Sequence, residues 1–332
     1  MRGSMRIQQL TSLEELQEIE PAWLDLWRRD PHATPFQSPQ WILPWHRHFG
    51  SGEIFAAAMW SGDRLEALAP FLIVRDDDDP SESLGMLLGT GNTDYVDVLA
   101  TSDEAVGEIV KCLVHVDCAM WDLRQLRPTS PLLRVRPPEG WTDNVEQDDP
   151  SVVLSIGGAG LELENLISTH FRKKIRYYRH SLARLGAVTV HEPATETLGA
   201  FMDSLYTLHA ARWKERGLPG MLAADVDQSF HREVARGMLA AGALRMYAIR
   251  VDGRDVALFY GFAARDTVYY YLSGYDPSIE KLSPGTLLVA HAIEQAVRSG
   301  VKTFDFLRGA EDYKYAWGAK DRWNRRRQLT RG

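Results

Sequence analysis

A strand, a helix and a second strand follow one another near the end of this 332-residue chain, and their order constrains the fold more than any other feature. TVYYYLSGY (267–275) and KTFDFL (302–307) are strand-like, and SPGTLLVAHAIEQAVRSG (283–300) between them is helical. Two strands joined through a helix usually run parallel in one sheet. The sequence therefore predicts an α/β (α+β) protein with a mixed central sheet flanked by helices.

Two segments of similar pattern suggest an internal repeat. Residues 53–74 and 244–264 each contain an apolar run, a polar turn with a glycine, and a second apolar run, which is typical of a β-hairpin. An ungapped alignment of the two places their turn glycines on one another. The pattern predicts two related α/β units, 1–160 and 161–332, each of ordinary domain size. Two unrelated hairpins are the alternative.

The composition argues against several classes of protein. A formal net charge of −7 and a pI near 5.8 disfavour nucleic-acid binding by the chain as a whole. We expect a cytoplasmic protein without membrane insertion, since neither a signal peptide nor a membrane-spanning apolar run occurs. The two cysteines, Cys112 and Cys118, agree with a reducing compartment, and no metal site is expected. Nothing in the sequence indicates an oligomeric state.

The segment 164–186 combines an apolar helical stripe with six lysine and arginine residues and ends at a glycine. A solvated helix face explains this pattern. A binding site for an anion, such as a ligand phosphate, explains it equally well, because the rest of the chain is acidic.

The start of the helix at 283–300 is suited to binding a diphosphate. Ser283 is placed to cap the helix, Pro284 fits its first turn, and Gly285 lets a ligand approach the backbone. Free amide N–H groups and the positive end of the helix dipole then face the loop. A helix start without a ligand is the alternative.

The stretch FDFLRGAEDYKYAWGA (304–319) combines a buried strand with a cluster of charged and aromatic residues. Asp305 lies inside the apolar strand, where a lone carboxylate is costly unless it is paired. Hydrogen bonds to Arg308 or to backbone amides would satisfy it. Because Tyr313 and Trp317 lie among charged residues in the turn that follows, we interpret this stretch as the wall of a site.

The helix predicted at 198–217 carries a second group of candidates. His209 and Trp213 lie four residues apart, and Arg212 and Arg216 share a neighbouring face. A core helix with a hydrogen-bonded histidine is the alternative to a functional role.

Three segments resemble the GNAT family of acyltransferases: TLHAARWKERGLPGML (207–222), LSGYDPSIEKLSPGTLL (272–288) and the stretch at 304–319. They are similar to the CelD-like, cellulose-biosynthesis branch, which is itself similar to the Fem-type peptidoglycan aminoacyltransferases. The resemblance implies a tandem GNAT fold with the donor site in the second unit. The usual Arg/Gln-x-x-Gly-x-Gly/Ala loop is KLSPGT (281–286) here, so acetyl-CoA, a longer acyl-CoA and an aminoacyl-tRNA all remain as donors.

The resemblance implies a donor site for acetyl-CoA or another acyl-CoA at the end of the strand 267–275 and the following helix start. Its residues would be Ser273, Gly274, Lys281, Leu282, Ser283, Gly285 and Thr286. Acyl transfer needs a base for the acceptor and an acid for the leaving thiolate. The candidate bases are Asp305, Glu311 and His209, and the candidate acid is Tyr313. The candidates for binding the acceptor are Arg308, Lys314, Trp213, Arg212 and Trp317.

These expectations together predict a CoA-dependent N- or O-acyltransferase acting on a small-molecule acceptor. By resemblance, the acceptor is a sugar or sugar nucleotide of envelope or exopolysaccharide assembly. One alternative is a Fem-type aminoacyltransferase that uses charged tRNA, which the net negative charge disfavours. The other is a GNAT-like binding module without catalytic activity.

Overall fold

The computed structural model describes residues 5–75, 83–157 and 162–331. Within these ranges, every helix is too short or too polar to cross a lipid bilayer. The same residues contain no group of three or more histidine, cysteine, aspartate or glutamate side chains arranged to hold a metal ion.

The chain folds into two compact units, Met1–Pro150 with Arg322–Gly332, and Ser151–Asp321. The sequence placed the division at residue 160, so the structure moves it ten residues towards the N-terminus and assigns the last residues to the first unit. The last strand joins the first unit because its residues pair with the strand Met120–Leu126. That the two units are copies of one fold stays a prediction.

The first unit is built on a mostly antiparallel sheet with the strand order β1-β2-β3-β4-β6-β13-β7, in which β5 pairs with β3, and β4 pairs with β6 in parallel. Its strands are β1 (Met5–Leu10), β2 (Glu53–Ser61), β3 (Arg64–Arg75), β4 (Ser83–Leu87), β5 (Leu99–Ala100), β6 (Met120–Leu126), β7 (Trp141–Ser155, up to Pro150) and β13 (Lys320–Arg331, from Arg322). Its helices are α1 (Leu13–Glu18), α2 (Glu20–Arg29), α3 (Pro39–Phe49) and α4 (Asp103–Cys112).

The hairpin predicted at 53–74 is confirmed, with Ser61 of β2 opposite Arg64 of β3. Its buried face packs against Trp121 of β6, whose ring centroid lies 4.8 Å from that of Phe71. Gly85 of β4 makes room for this ring, because a β-carbon there would lie 2.3 Å from Trp121 Cε3. The core of the first unit therefore forms around aromatic side chains from three strands.

The second unit is built on a mixed sheet with the strand order β7-β12-β11-β10-β9-β8, which confirms the predicted fold class. Its strands are the end of β7 (from Ser151), β8 (Val188–His191), β9 (Leu244–Val251), β10 (Arg254–Ala264), β11 (Thr267–Tyr275) and β12 (Thr303–Arg308). Its helices are α5 (Leu163–Leu166), α6 (Thr169–Ala183), α7 (Leu198–Glu215), α8 (Asp225–Ala240), α9 (Pro284–Arg298) and α10 (Asp312–Tyr315).

The parallel pairing predicted between β11 and β12 is confirmed, but it is short. It begins at Thr267 opposite Thr303 and ends at Tyr269 opposite Asp305. Beyond this point β12 has a bulge, in which Leu307 adopts φ 61° and donates its amide to the Asp305 carboxylate at 2.9 Å. A bulge bends a strand away from its partner. This bulge belongs to the antiparallel pairing of β12 with β7, whereas the parallel pairing with β11 ends at Tyr269. The last residues of β11 lie beyond this pairing, at the edge where helix α9 begins.

Helix α9 packs one face on this sheet and supplies much of the core of the second unit. Leu288, Ala292 and Ile293 of α9 are buried with Phe259 and Phe304 of the sheet. Burial of apolar surface at about 25 cal/mol per Å² is the main source of stability for such a layer. The start of α9 is therefore held in a fixed position relative to the end of β11.

Candidate active site

A cavity of about 370 Å³ lies at the open end of β11, entirely within the second unit. This volume is in the range of small-molecule binding sites. Strand β11, the start of α9, the end of α7 and the segment around α10 all contribute to it. The residues around it are Phe171, Lys174, Arg212, Arg216, Tyr270, Ser273, Tyr275, Glu280, Ser283, Pro284, Gly285, Thr286, Val289, Tyr313, Ala316 and Trp317.

The structure brings together seven of the candidate residues from the sequence around this one cavity. They are Arg212, Ser273, Ser283, Gly285, Thr286, Tyr313 and Trp317. Four separate parts of the chain supply them, so their convergence is a property of the tertiary fold.

The start of α9 forms one wall of the cavity. Ser283 precedes the helix in the left-handed conformation, with φ 49° and ψ 53°, and its amide donates to the Glu280 carbonyl oxygen at 2.8 Å. The predicted cap is wrong, because the Ser283 side chain makes no capping hydrogen bond. The amides of Gly285 and Thr286, in the first turn, have no helical carbonyl as an acceptor. These donors suit a phosphate group.

Gly285 also packs closely against an aromatic side chain of the cavity. A β-carbon at this position would lie 3.2 Å from Tyr275 Cδ1. The Tyr275 hydroxyl donates to Glu280 at 2.9 Å, which holds the ring in this position. Gly285 therefore allows the Tyr275 ring to approach the helix start closely. The sequence predicted that a ligand would make this approach.

Three hydroxyl groups meet at the cavity. The Tyr270 hydroxyl lies 2.5 Å from that of Ser273, and Tyr313 donates a hydrogen bond to Tyr270. Burial is the main reason that the pKa of Tyr270 is raised, and desolvation also raises the pKa of Tyr313, although that residue is 42% exposed as a whole. Because a raised pKa keeps the phenol protonated, Tyr313 is suited to donate a hydrogen bond to a ligand in the cavity.

The electrostatics of the cavity favour an anionic ligand. Lys174, Arg212 and Arg216 lie around it, and none of them pairs with an aspartate or glutamate among the described residues. The Arg212 guanidinium lies 5.0 Å from the centroid of the Tyr275 ring. Of the described residues around the cavity, Glu280 is the one that is acidic, and it accepts the hydrogen bond of Tyr275.

Two candidates from the segment 304–319 stabilise the chain rather than line the cavity. Lys314 is buried, and its ammonium donates to the carbonyl oxygens of Arg308 at 2.6 Å and Gly309 at 3.0 Å and pairs with Glu311 at 2.8 Å. This use of its donors corrects the predicted role of Lys314 in binding substrate. Glu311 pairs with Lys314 and lies outside the cavity lining. This position does not support the predicted role of Glu311 as the base.

Asp305 is fully buried, as the core interpretation predicted. Its carboxylate accepts the Leu307 amide, so that it stabilises the bulge of β12. Neither Asp305 nor Arg308 is among the residues around the cavity. The structure therefore gives Asp305 a part in shaping the edge of the sheet.

His209, Trp213 and Gly274 pack behind the cavity. His209 is 2% exposed, and burial, with a smaller effect of Arg212, lowers its pKa to about 4. A β-carbon at Gly274 would lie 2.6 Å from the amide nitrogen of His209, so this glycine allows β11 to contact α7. Gly274 is not among the residues around the cavity, so its predicted role in donor binding stays a prediction.

Lys281 and Leu282 also lie outside the cavity lining. Lys281 is exposed, and Leu282 is half-buried and packs against the core of the second unit. Sequence reasoning missed Phe171, Lys174, Tyr270 and Glu280 as cavity residues. Of these four residues, only Lys174 was indicated by the sequence, through the basic pattern of the helix that contains it.

Comparison with known proteins assigns the fold that carries this cavity. Residues 169–315 match the family model of an acetyltransferase (GNAT) domain. The matched segment lies within the second unit and runs from α6 to α10. The match identifies a GNAT domain in this segment, and the CelD-like branch is not among these findings. No curated protein gives a significant match.

Several solved structures share the fold of this GNAT-like chain. FemX has a TM-score of 0.66 at 12% identity, with 96% of each chain covered. The C-terminal domain of a candidate lysylphosphatidylglycerol synthetase from Agrobacterium fabrum has a TM-score of 0.59 at 12% identity, covering 95% of this chain and 92% of that one. L-PGS from Bacillus licheniformis has a TM-score of 0.54 at 10% identity, covering 89% and 92%. At these identities the likeness shows the fold alone.

Proposed function

We propose that this protein is a GNAT-type acyltransferase that transfers an acyl group from a CoA thioester to the amine or hydroxyl of a small acceptor. The observation that carries the proposal is the cavity of the second unit, which is lined both by the start of α9 and by Tyr270, Ser273 and Tyr313. The donor diphosphate lies against the amides of Gly285 and Thr286 in this proposal.

The chemistry follows from the groups around the cavity. The acceptor nitrogen or oxygen attacks the thioester carbon, the C–S bond breaks, and a new C–N or C–O bond forms. The acceptor loses a proton and the leaving thiolate gains one. Tyr313, whose side chain lines the cavity, is proposed as the acid that protonates the thiolate. The raised pKa of its phenol opposes this transfer, so the positive charge of Arg212, which lowers that pKa, supports it.

A binding measurement tests the donor. CoA and acetyl-CoA should raise the melting temperature of the protein, since a ligand that binds only the folded state stabilises it. Gly285→Val should weaken CoA binding by about ten-fold or more, because its side chain would crowd Tyr275 and the helix start. Gly199→Val is the matched control, since no atom lies within 4 Å of its β-carbon position.

A turnover measurement tests the reaction. Thiol release from acetyl-CoA should increase when amino sugars or sugar nucleotides are supplied as acceptors. Failure of CoA, acetyl-CoA and longer acyl-CoA to bind would contradict the proposal. Binding without thiol release for any acceptor would favour the binding module. The sugar acceptor and its place in envelope or exopolysaccharide assembly rest on the sequence resemblance. The cytoplasmic location is an expectation from the composition of the chain.

A second candidate function is aminoacyl transfer from charged tRNA. It is favoured by the exposed basic face of α6, where Lys173, Arg176 and Arg184 are exposed on one helical stripe with Tyr177, which is 60% exposed. Binding of tRNA to this face should weaken steeply with salt. Salt-dependent tRNA binding that Arg176→Gln reduces, in the absence of CoA binding, would support this candidate over the first.

A further inference from the structure

We propose that the acceptor of this reaction is an anion whose phosphate or carboxylate is held by Arg212 and Arg216. This inference rests on the proposed acyl transfer and names the substrate class of the same cavity. It follows from the positions of these two arginines relative to the helix start and to the hydroxyl cluster.

Both arginines line the cavity, and neither has a partner of opposite charge among the residues that the structure describes. Neither forms an ion pair with an acidic side chain in the described ranges, and the Nε atom of Arg212 is buried without a hydrogen-bond acceptor there. A buried donor without an acceptor costs free energy, and a bound ligand is one common reason that it is retained. The guanidinium of Arg212 therefore has the environment of a group that binds an anion.

Arg212 lies close to Tyr270 and Tyr313 of the hydroxyl cluster, where we place the acceptor, and also over the Tyr275 ring. Its positive charge acts on both Tyr270 and Tyr313 and lowers the pKa of each against the larger effect of burial. The start of α9 approaches Tyr275 at Gly285, and Arg212 lies over the same ring. The donor phosphate has the helix amides as its partners, which leaves the arginines for a second anion.

The residue types indicate the chemistry of this second anion. Arg212 and Arg216 are four residues apart at the end of α7, so their side chains are neighbours. A guanidinium binds a phosphate or a carboxylate through two parallel hydrogen bonds. The aromatic ring beneath Arg212 restricts its orientation. The acceptor thus combines the amine or hydroxyl that is acylated with a phosphate or carboxylate a short distance away.

Binding of three matched sugars tests the inference. Glucosamine 6-phosphate, glucuronic acid and glucosamine are titrated by calorimetry, with and without saturating CoA. We expect at least one of the two anionic sugars to bind about ten-fold or more tightly than glucosamine. A preference for the phosphate or for the carboxylate identifies which anion the arginines hold. Equal affinity for all three sugars would overturn the inference.

Variants separate the acceptor site from the donor site. Arg212→Gln and Arg216→Gln should abolish the preference for the anionic sugar and leave CoA affinity within about two-fold. Arg236→Gln is the control, since this exposed arginine of α8 lies outside the cavity. A ten-fold loss of CoA affinity with an unchanged sugar preference would show that the arginines hold the donor. Because the sugars are also titrated without CoA, a failure of CoA to bind contradicts the proposed function and leaves this test intact.

Discussion

The ammonium of Lys314 donates a hydrogen bond of 2.6 Å to the carbonyl oxygen of Arg308. Lys314 belongs to α10, and Arg308 is the last residue of β12, so this bond closes the turn between strand and helix. The same ammonium reaches Gly309 and Glu311. A buried lysine in this position fixes the segment that carries Tyr313 to the cavity.

Replacement of this lysine tests its structural role. Lys314→Met should lower the free energy of unfolding by about 2 kcal/mol, because carbonyl oxygens and a carboxylate lose their shared partner. Urea denaturation measures the loss. The exposed Lys214 of α7 is the matched control, and Lys214→Met should change stability by less than about 0.5 kcal/mol. Equal effects of the two substitutions would contradict the assignment.

The contact of Gly274 with His209 predicts a packing defect. Gly274→Ala should destabilise the protein by about 2 kcal/mol, since its β-carbon would lie 2.6 Å from the His209 amide nitrogen and force β11 from α7. Thermal or urea unfolding measures the change. Gly199→Ala has open space around it and should leave stability unchanged or raise it by up to about 1 kcal/mol. If Gly274→Ala left the free energy of unfolding unchanged, the structure around this contact would have to adjust to the methyl group without loss of stability.

The buried His209 predicts a pH dependence of stability. Its folded-state pKa of about 4 lies below the unfolded value of about 6.5, so the unfolded chain takes up the proton first as the pH falls. The contribution is complete above about pH 6.5 and is lost as the pH falls towards 4, by up to about 3 kcal/mol.

The substitution His209→Gln isolates this contribution. Unfolding free energies at pH 7 and pH 4.5 should differ less in the variant than in the unmodified protein. His180→Gln, at an exposed position of α6, should leave the difference unchanged. A His209→Gln protein with the original pH dependence would assign it to other groups, such as His231, whose pKa burial also lowers, to about 3.

The hydroxyl of Tyr313 predicts a catalytic defect. Tyr313→Phe should lower kcat by about 100-fold, because it removes the proposed acid, and it should change the KM for acetyl-CoA only a few-fold. The matched control is Tyr315→Phe, in the same short helix, where the hydroxyl donates to Asp321 at 2.7 Å. Steady-state thiol release measures both. An unchanged kcat in Tyr313→Phe would remove this tyrosine from the proposed chemistry.

Most of the secondary structure around the site could be predicted, because its signals are local. The hairpin at 53–74, the helix at 283–300 and the parallel strands on either side of it are all present, with bounds shifted by a few residues. The bulge of β12 was not predicted, since Leu307 is an ordinary apolar residue that adopts φ 61° only in its tertiary context. The short pairing of β12 with β11, which ends at Tyr269, was not predicted either.

The candidate site was predicted in part. Residue type and spacing pointed to Ser283, Gly285 and Tyr313, which line one cavity. The same reasoning pointed to Lys314 and Gly274, which pack within the protein. A lysine or a glycine has the same sequence pattern in both situations, so spacing alone does not distinguish a ligand contact from a packing contact.

The sequence by itself determined the order of strands and helices, the α/β class and the presence of a helix start suited to an anion. Hydrophobic periodicity, turn residues and helix-start residues determine secondary structure over a few neighbouring positions, so these elements can be predicted from the sequence. Only the tertiary structure decided that Arg212 of α7, Tyr270 of β11 and Tyr313 of α10 meet at one cavity, and that residues 322–332 belong with the first unit. These relationships depend on packing between segments far apart in sequence, where burial and close contact select the partner.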